Sequence, residues 1–112
     1  NSSHIEIGDD VYVAHGCQFL GRILIEDQVM FGPYCVLTSD YHTRNDESFR
    51  FGKHITGRII VKEGSWMGAH TTLLTNSSLG RGSVLGANSL LNCHADNNSY
   101  WGGNPARKIK DL

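Results

Sequence analysis

At 112 residues, 39% of them hydrophobic, with a net charge of −1, the chain is too apolar to remain disordered and too near neutral for a nucleic-acid or anionic-membrane surface. No apolar run approaches the roughly 20 residues a membrane-spanning helix needs, so no membrane insertion is expected. Thirteen glycines against two prolines point to a backbone that turns many tight corners.

The chain opens on Asn1-Ser2-Ser3 rather than Met, which suggests that something has been trimmed or left out. From Ile7 onward every sixth residue is large and apolar: Ile7, Val13, Phe19, Ile25, Phe31 and Leu37, then Ile55, Val61, Met67, Leu73, Leu79, Leu85 and Leu91. At the overall frequency of apolar residues, thirteen such positions in one frame have a chance on the order of 10⁻⁵. The residue after the anchor is often small (Gly8, Ala14, Gly32, Gly68, Gly80, Gly86). The fourth after it is apolar early (Val11, Cys17, Ile23, Val29, Cys35) and small later (Ser65, Thr71, Ser77, Ser83, Ser89). Neither a helix nor plain strand alternation has this period. It fits a triangular coil of three short strands per turn, each turn stacked on the last, forming one all-β domain over residues 1–112.

Stacking puts residues 18 apart above one another, about 4.8 Å away. Leu73 should then cover Ile55, Leu91 should cover Leu73, and Cys17 and Cys35 should meet inside the prism as reduced core thiols. Three cysteines (Cys17, Cys35, Cys93) without CxxC spacing favour a reducing compartment, hence a cytoplasmic protein. The exposed flat faces of such a prism predict association into a homotrimer.

The repeat fails between Leu37 and Ile55. Residues 39–54 are polar, charged and aromatic, as expected of an active-site loop leaving a rigid stack. Phe49 keeps the six-residue frame, so part of this segment could form a degenerate coil.

Three motifs extend the repeat. Gly102-Gly103-Asn104-Pro105-Ala106-Arg107-Lys108-Ile109-Lys110 is close to the "GNPAK/R-x-I-K" ending of sugar and xenobiotic O-acetyltransferases, Ser65-Trp66-Met67-Gly68-Ala69 looks like their "VWIGA", and Leu85-Gly86-Ala87-Asn88-Ser89 like their "IGAGS". With these in order, the chain resembles the hexapeptide-repeat acyltransferases. The resemblance implies a left-handed parallel β-helix and an acetyl-CoA-dependent transfer to a sugar or polysaccharide hydroxyl, with no metal required. Leu37-Thr38-Ser39-Asp40-Tyr41-His42 is similar to the family's "TSDxHxI", which makes His42 the implied general base. Asp40 is a candidate orienter of His42 or acceptor ligand, against an alternative role as a loop cap. Tyr41 and Trp66 are candidate acceptor contacts, Trp66 alternatively lying at the trimer seam.

For acetyl-CoA the resemblance implies backbone contacts at Gly68, Ala69, Gly86 and Ala87 and phosphate contacts from Arg107 and Lys110, with Lys108 a further candidate. Many relatives carry Thr-Lys where this chain has Leu91-Asn92, so the resemblance implies one phosphate contact fewer. Maltose-type relatives carry an acceptor asparagine where this chain has Gly16, which favours a polysaccharide acceptor. A covalent route through Cys35 is disfavoured by its inward repeat position. Tyr34 reads as a corner residue and His54 as a polar-face residue. His70 is another polar-face residue within reach of the cleft, and His94 carries no signal.

Two other readings come from different classes. Val13-Ala14-His15-Gly16-Cys17-Gln18 looks like the "LAHQ" stretch of γ-type carbonic anhydrases, but Leu20 stands where the next zinc ligand belongs. The other is a non-catalytic β-helix serving as a trimerisation or binding module.

Overall fold

The computed structural model of the protein describes residues 3–112, so the Asn1-Ser2 start lies outside the described residues. Strands arrive in threes. The first coil comprises β1 (His4–Ile7), β2 (Tyr12–Val13) and β3 (Gln18–Leu20), and the second β4 (Arg22–Ile25), β5 (Met30–Phe31) and β6 (Val36–Thr38). An excursion follows, built from β7 (Asp40–His42) and β8 (His54–Thr56). The stack resumes with β9 (Ile59–Val61), β10 (Trp66–Met67) and β11 (Thr72–Leu73), then β12 (Ser78–Leu79), β13 (Val84–Leu85) and β14 (Leu90–Leu91). A last coil holds β15 (His94–Ala95) and β16 (Ser99–Gly103), after which β17 (Ala106–Asp111) turns back.

The first four coils each contribute one strand to each of three faces, and the last coil contributes to the first two. The first face runs β1-β4-β9-β12-β15, the second β2-β5-β10-β13-β16 with β17 outermost, and the third β3-β6-β11-β14. All pairings within the stack are parallel; among the described strands, only β16–β17 and the β7–β8 excursion pair antiparallel. The six-residue anchors point inward. Phe31, Leu37, Val61, Met67, Leu73, Leu79, Leu85 and Leu91 form a column fully shielded from solvent, whereas Ile7 and Val13 on the first coil are about half exposed.

The fourth-after residues also point inward, and their chemistry closes the corners. Ser65 Oγ donates to the Lys62 carbonyl at 2.7 Å, Thr71 Oγ1 to Gly68 at 2.9 Å and Ser77 Oγ to Leu74 at 2.6 Å. Cys35 Sγ makes the same bond to Gly32 at 3.2 Å, and Cys17 Sγ reaches that carbonyl too, so the two thiols stack as expected. The third-after position takes the left-handed conformation at most corners. Asn76 and Asn88 suit it, glycine fills it at 16, 64 and 82, and Tyr34 (φ 60) and His70 (φ 57) occupy it despite their bulk.

One stacking expectation is overturned. Leu73 pairs with Leu37, 36 residues earlier, and Ile55 pairs instead with Tyr41 outside the stack. The excursion inserts one coil's length of chain between β6 and β11, a multiple of six, so the frame passes through it undisturbed. Leu91 does cover Leu73. The final coil is two residues shorter, Leu79 pairing with Ala95 and Leu85 with Trp101.

Candidate active site

The excursion leaves the prism at Ser39, whose side chain is fully buried. Its hydroxyl accepts the Arg22 amide at 2.8 Å and its carbonyl accepts the Gly57 amide at 2.9 Å, so both ends of the excursion are tied to one point at the edge between the third and first faces. The segment is a β-hairpin, and the degenerate coil suggested by Phe49 does not form: Phe49 and Phe51 are exposed near its tip. The hairpin closes at Thr56, two residues beyond the expected loop end. Its strands are stitched by the Thr43 amide to the Lys53 carbonyl and the Lys53 amide to Thr43 Oγ1, both at 2.9 Å.

Antiparallel pairing sets the chemistry of the hairpin. Asp40 lies opposite Thr56 and His42 opposite His54, and residues two apart share a face, so all four side chains project on one side. Asp40 Oδ1 accepts the Thr56 hydroxyl at 2.9 Å, and Asp40 Oδ2 is 3.5 Å from His54 Nε2. The His42 and His54 rings stand 5.2 Å apart, tilted by 36°. Asp40 therefore sits against His54, and among the described residues no hydrogen bond or ion pair joins Asp40 to His42. Tyr41 lies on the opposite side with Ile55.

A second feature lies on the second face and its edge with the third. Trp66, Gly68, Ala69, Val84, Leu85, Gly86, Ala87 and Tyr100 line a groove of about 400 Å³. Its floor is backbone because the coils approach closely there: a methyl group added to Gly68 would stand 2.8 Å from the Ala87 amide nitrogen. The groove gathers all four expected backbone positions together with Trp66. Val84 and Tyr100 were missed. Val84 is an outward neighbour of an anchor, readable only once the register is known, and Tyr100 was hidden because the short last coil shifts it by two residues.

The basic tail completes this face. In β17, Lys110 pairs with Tyr100, Lys108 with Trp101 and Arg107 with Gly102. Lys108 is already neutralised, its ammonium lying 2.8 Å from Asp96 and 2.6 Å from Asp111. The Asp96 carboxyl is held down to about 2, chiefly by Lys108 and then by the Ser99 hydroxyl. Arg107 donates only to the Ala106 carbonyl, and Lys110 forms no ion pair among the described residues. These two remain available to an incoming anion, whereas Lys108 does not.

No family model matches the chain. A galactoside O-acetyltransferase of Lactococcus lactis subsp. lactis is 29% identical over 92 residues, which cover 80% of this chain and 44% of that protein. Among solved structures, a hexapeptide-repeat acetyltransferase of Vibrio cholerae superposes with a TM-score of 0.90 at 26% identity, over 96% of this chain and 62% of that one. A galactoside acetyltransferase in complex with coenzyme A gives 0.89 at 25% identity, over 96% and 55%. The fold is that of the hexapeptide-repeat acetyltransferases. Its prism is thus their left-handed parallel β-helix, and this chain spans about half the length of the curated relatives it matches.

Within this acetyltransferase fold the remaining residues resolve simply. Burial pushes the Cys35 thiol up, with Thr71 partly offsetting it, so Cys35 is a packing residue and a poor nucleophile. His15, Tyr34 and His70 form a ring ladder along one edge, with centroids 5.6 and 5.2 Å apart. Tyr34 packs over Gly16, where any side chain would collide with its ring. His94 bonds Ser78 on the first face through Nδ1 at 2.7 Å. Among the described residues, no helix is long and apolar enough to cross a membrane.

Proposed function

We propose that this protein transfers an acetyl group from acetyl-CoA to a saccharide hydroxyl, with His42 as general base and a site completed by a second copy of the chain. The observation that carries this reading is the groove of Gly68, Ala69, Gly86 and Ala87, a backbone-floored channel bordered by the Lys110 strand. An extended pantetheine arm needs such a channel because it is recognised mainly by amide contacts, and its phosphates need the cations Arg107 and Lys110. Solved neighbours of the same fold carry acetyl-CoA or coenzyme A.

The chemistry balances without a covalent enzyme intermediate. His42 takes the proton of the acceptor hydroxyl as its oxygen bonds the acetyl carbonyl carbon. The carbon–sulfur bond then breaks, and His42 returns the proton to the departing CoA sulfur. Hairpin and groove occupy different edges of the prism, so the reading brings the hairpin of one copy to the groove of its neighbour in a homotrimer. The free thiols Cys17, Cys35 and Cys93 suit a reducing, cytoplasmic setting. Tyr34 over Gly16 removes the room for an acceptor-binding side chain there, which supports a polysaccharide acceptor over a small galactoside or maltose type. Trp66, half exposed in the groove, is suited to stack on a sugar ring beside the thioester. Tyr41, exposed on the outer side of the hairpin, is left as an acceptor contact of the distal sugar units.

The test is direct. The full chain is incubated with acetyl-CoA and a panel of neutral and acidic oligosaccharides, following thiol release and acetylated product by mass spectrometry. Acetylated sugar is expected. Absence of transfer together with absence of CoA binding at millimolar concentration would remove the enzyme reading and leave a β-helical binding module.

A further inference from the structure

The carboxylate of the hairpin holds the wrong imidazole for the simplest mechanism, and this is informative. A general base gains from having its ring fixed, because a freely rotating imidazole loses orientational advantage each time it must find the acceptor proton. Among the described residues the His42 ring forms no hydrogen bond or ion pair; the ring contact it makes is with His54. His54 in turn stands over Asp40, and Asp40 is fixed by the Thr56 hydroxyl and by its place next to the buried Ser39.

We infer that His54 is the positioning residue for His42, transmitting the anchorage of Asp40 to a base that Asp40 does not touch. This rests on the reading of His42 as the base. The chain of supports runs Thr56 to Asp40 to His54 to His42, all on one face of a two-stranded ribbon whose register fixes each partner. The Asp40 carboxylate, 3.5 Å from Nε2, favours the tautomer that carries the proton on that nitrogen, and the His54 ring stands 5.2 Å from that of His42. When His42 accepts the acceptor's proton, the resulting cation lies beside the His54 ring, with the Asp40 carboxylate one ring further away. The carboxylate stabilises that cation through space without approaching it, so the substrate side of the His42 ring stays open.

The experiment is a double-mutant cycle read on the His42 ring itself, by NMR relaxation of ¹³C-labelled imidazoles in the full chain. In the wild type the His42 ring should be ordered, with an order parameter near 0.85. His54→Ala should bring it to about 0.6 or below, Asp40→Asn should lower it less, and Asp40→Asn in the His54→Ala background should change nothing further. His54→Phe, which keeps a flat ring without the Nε2 donor, guards against loss of the hairpin: His42 should retain intermediate order and become insensitive to Asp40→Asn. With any sugar that the wild type acetylates, His54→Ala should lower kcat roughly tenfold at unchanged KM for acetyl-CoA. If Asp40→Asn perturbs His42 equally with and without His54, or if His42 order is indifferent to His54, the inference is overturned. Undiminished transfer by His42→Ala would instead sink the base assignment and leave the ring-order results to judge His54 separately.

Discussion

The prism and the hairpin obey opposite rules for tolerating change. In the prism each inward residue is one of a column of equivalents: Met67, Leu73 and Leu79 do the same job on successive strands, and the hydrogen bond that Ser65 makes to Lys62 is repeated by Thr71 and Ser77. In the hairpin nothing is repeated. Asp40, His42, His54 and Thr56 occur once and are related only by antiparallel register. A stack of similar layers therefore supplies rigidity from redundancy, while the proposed chemistry lies where the repeat is interrupted and each side chain can be unique.

Substitutions in the two regions should separate stability from turnover. The largest effect expected is that of His42→Ala, a fall in kcat of about 10²–10⁴-fold with the melting temperature unchanged, because the ring is exposed and lies outside the core. Near-normal acetyl transfer by that variant would remove the base from this position. Leu73→Ala should do the reverse. It opens a void in a fully buried column and should cost about 2–5 kcal/mol in chemical denaturation, while the protein that remains folded keeps its turnover per site. A loss under 1 kcal/mol would mean that the neighbouring coils collapse onto the gap.

The contrast also explains which parts of the molecule could be read in advance. The prism was legible because burial imposes the same demand every six residues, so Phe31 and Leu85 announce themselves by spacing alone. The mistake over Ile55 has the same origin: an insertion of one whole coil preserves the frame, and a residue of the hairpin then looks like an anchor. Gly68, Ala69, Gly86 and Ala87 could be named because the family resemblance pointed to them, and the close approach of neighbouring coils accounts for the small residues there. Tyr100 could not, since the shortened last coil moves it out of frame. His54 was passed over as a polar-face residue because sequence separation from Asp40 says nothing until the hairpin register is known.

A smaller effect tests the repeated corner bond. Ser77→Ala leaves the Leu74 carbonyl without its 2.6 Å donor and should cost about 1–3 kcal/mol if no water replaces the hydroxyl. Ser77→Cys should recover part of this, since Cys35 makes the equivalent bond at a corner of the second coil, at 3.2 Å to Gly32. Equal stability of the Ala and Cys variants would show that the corner is held by packing alone.

The gentlest prediction concerns the tail that borders the groove. Asp96 is lowered from the ordinary 3.8 to about 2 by Lys108 first and Ser99 second, so folding favours its ionised form. The contribution is complete above the ordinary carboxylate range and is lost as pH falls from about 4 to about 2, the direction required when the native state holds its proton less tightly. The carboxylate is exposed, so the global fold should survive and only the docking of β17 should loosen. Trp101 reports on it directly, its indole N–H lying 2.9 Å from Ser99 Oγ and 3.4 Å from Asp96 Oδ1. In a Trp66→Phe background the remaining tryptophan emission should stay constant down to about pH 4 and then change with a midpoint near 2. Lys108→Ala removes the chief cause of the lowering and should move that midpoint upward toward 3.8. If it does not move, Lys108 does not secure the tail through Asp96, and the strand that carries Arg107 and Lys110 is held instead by its backbone pairing with β16.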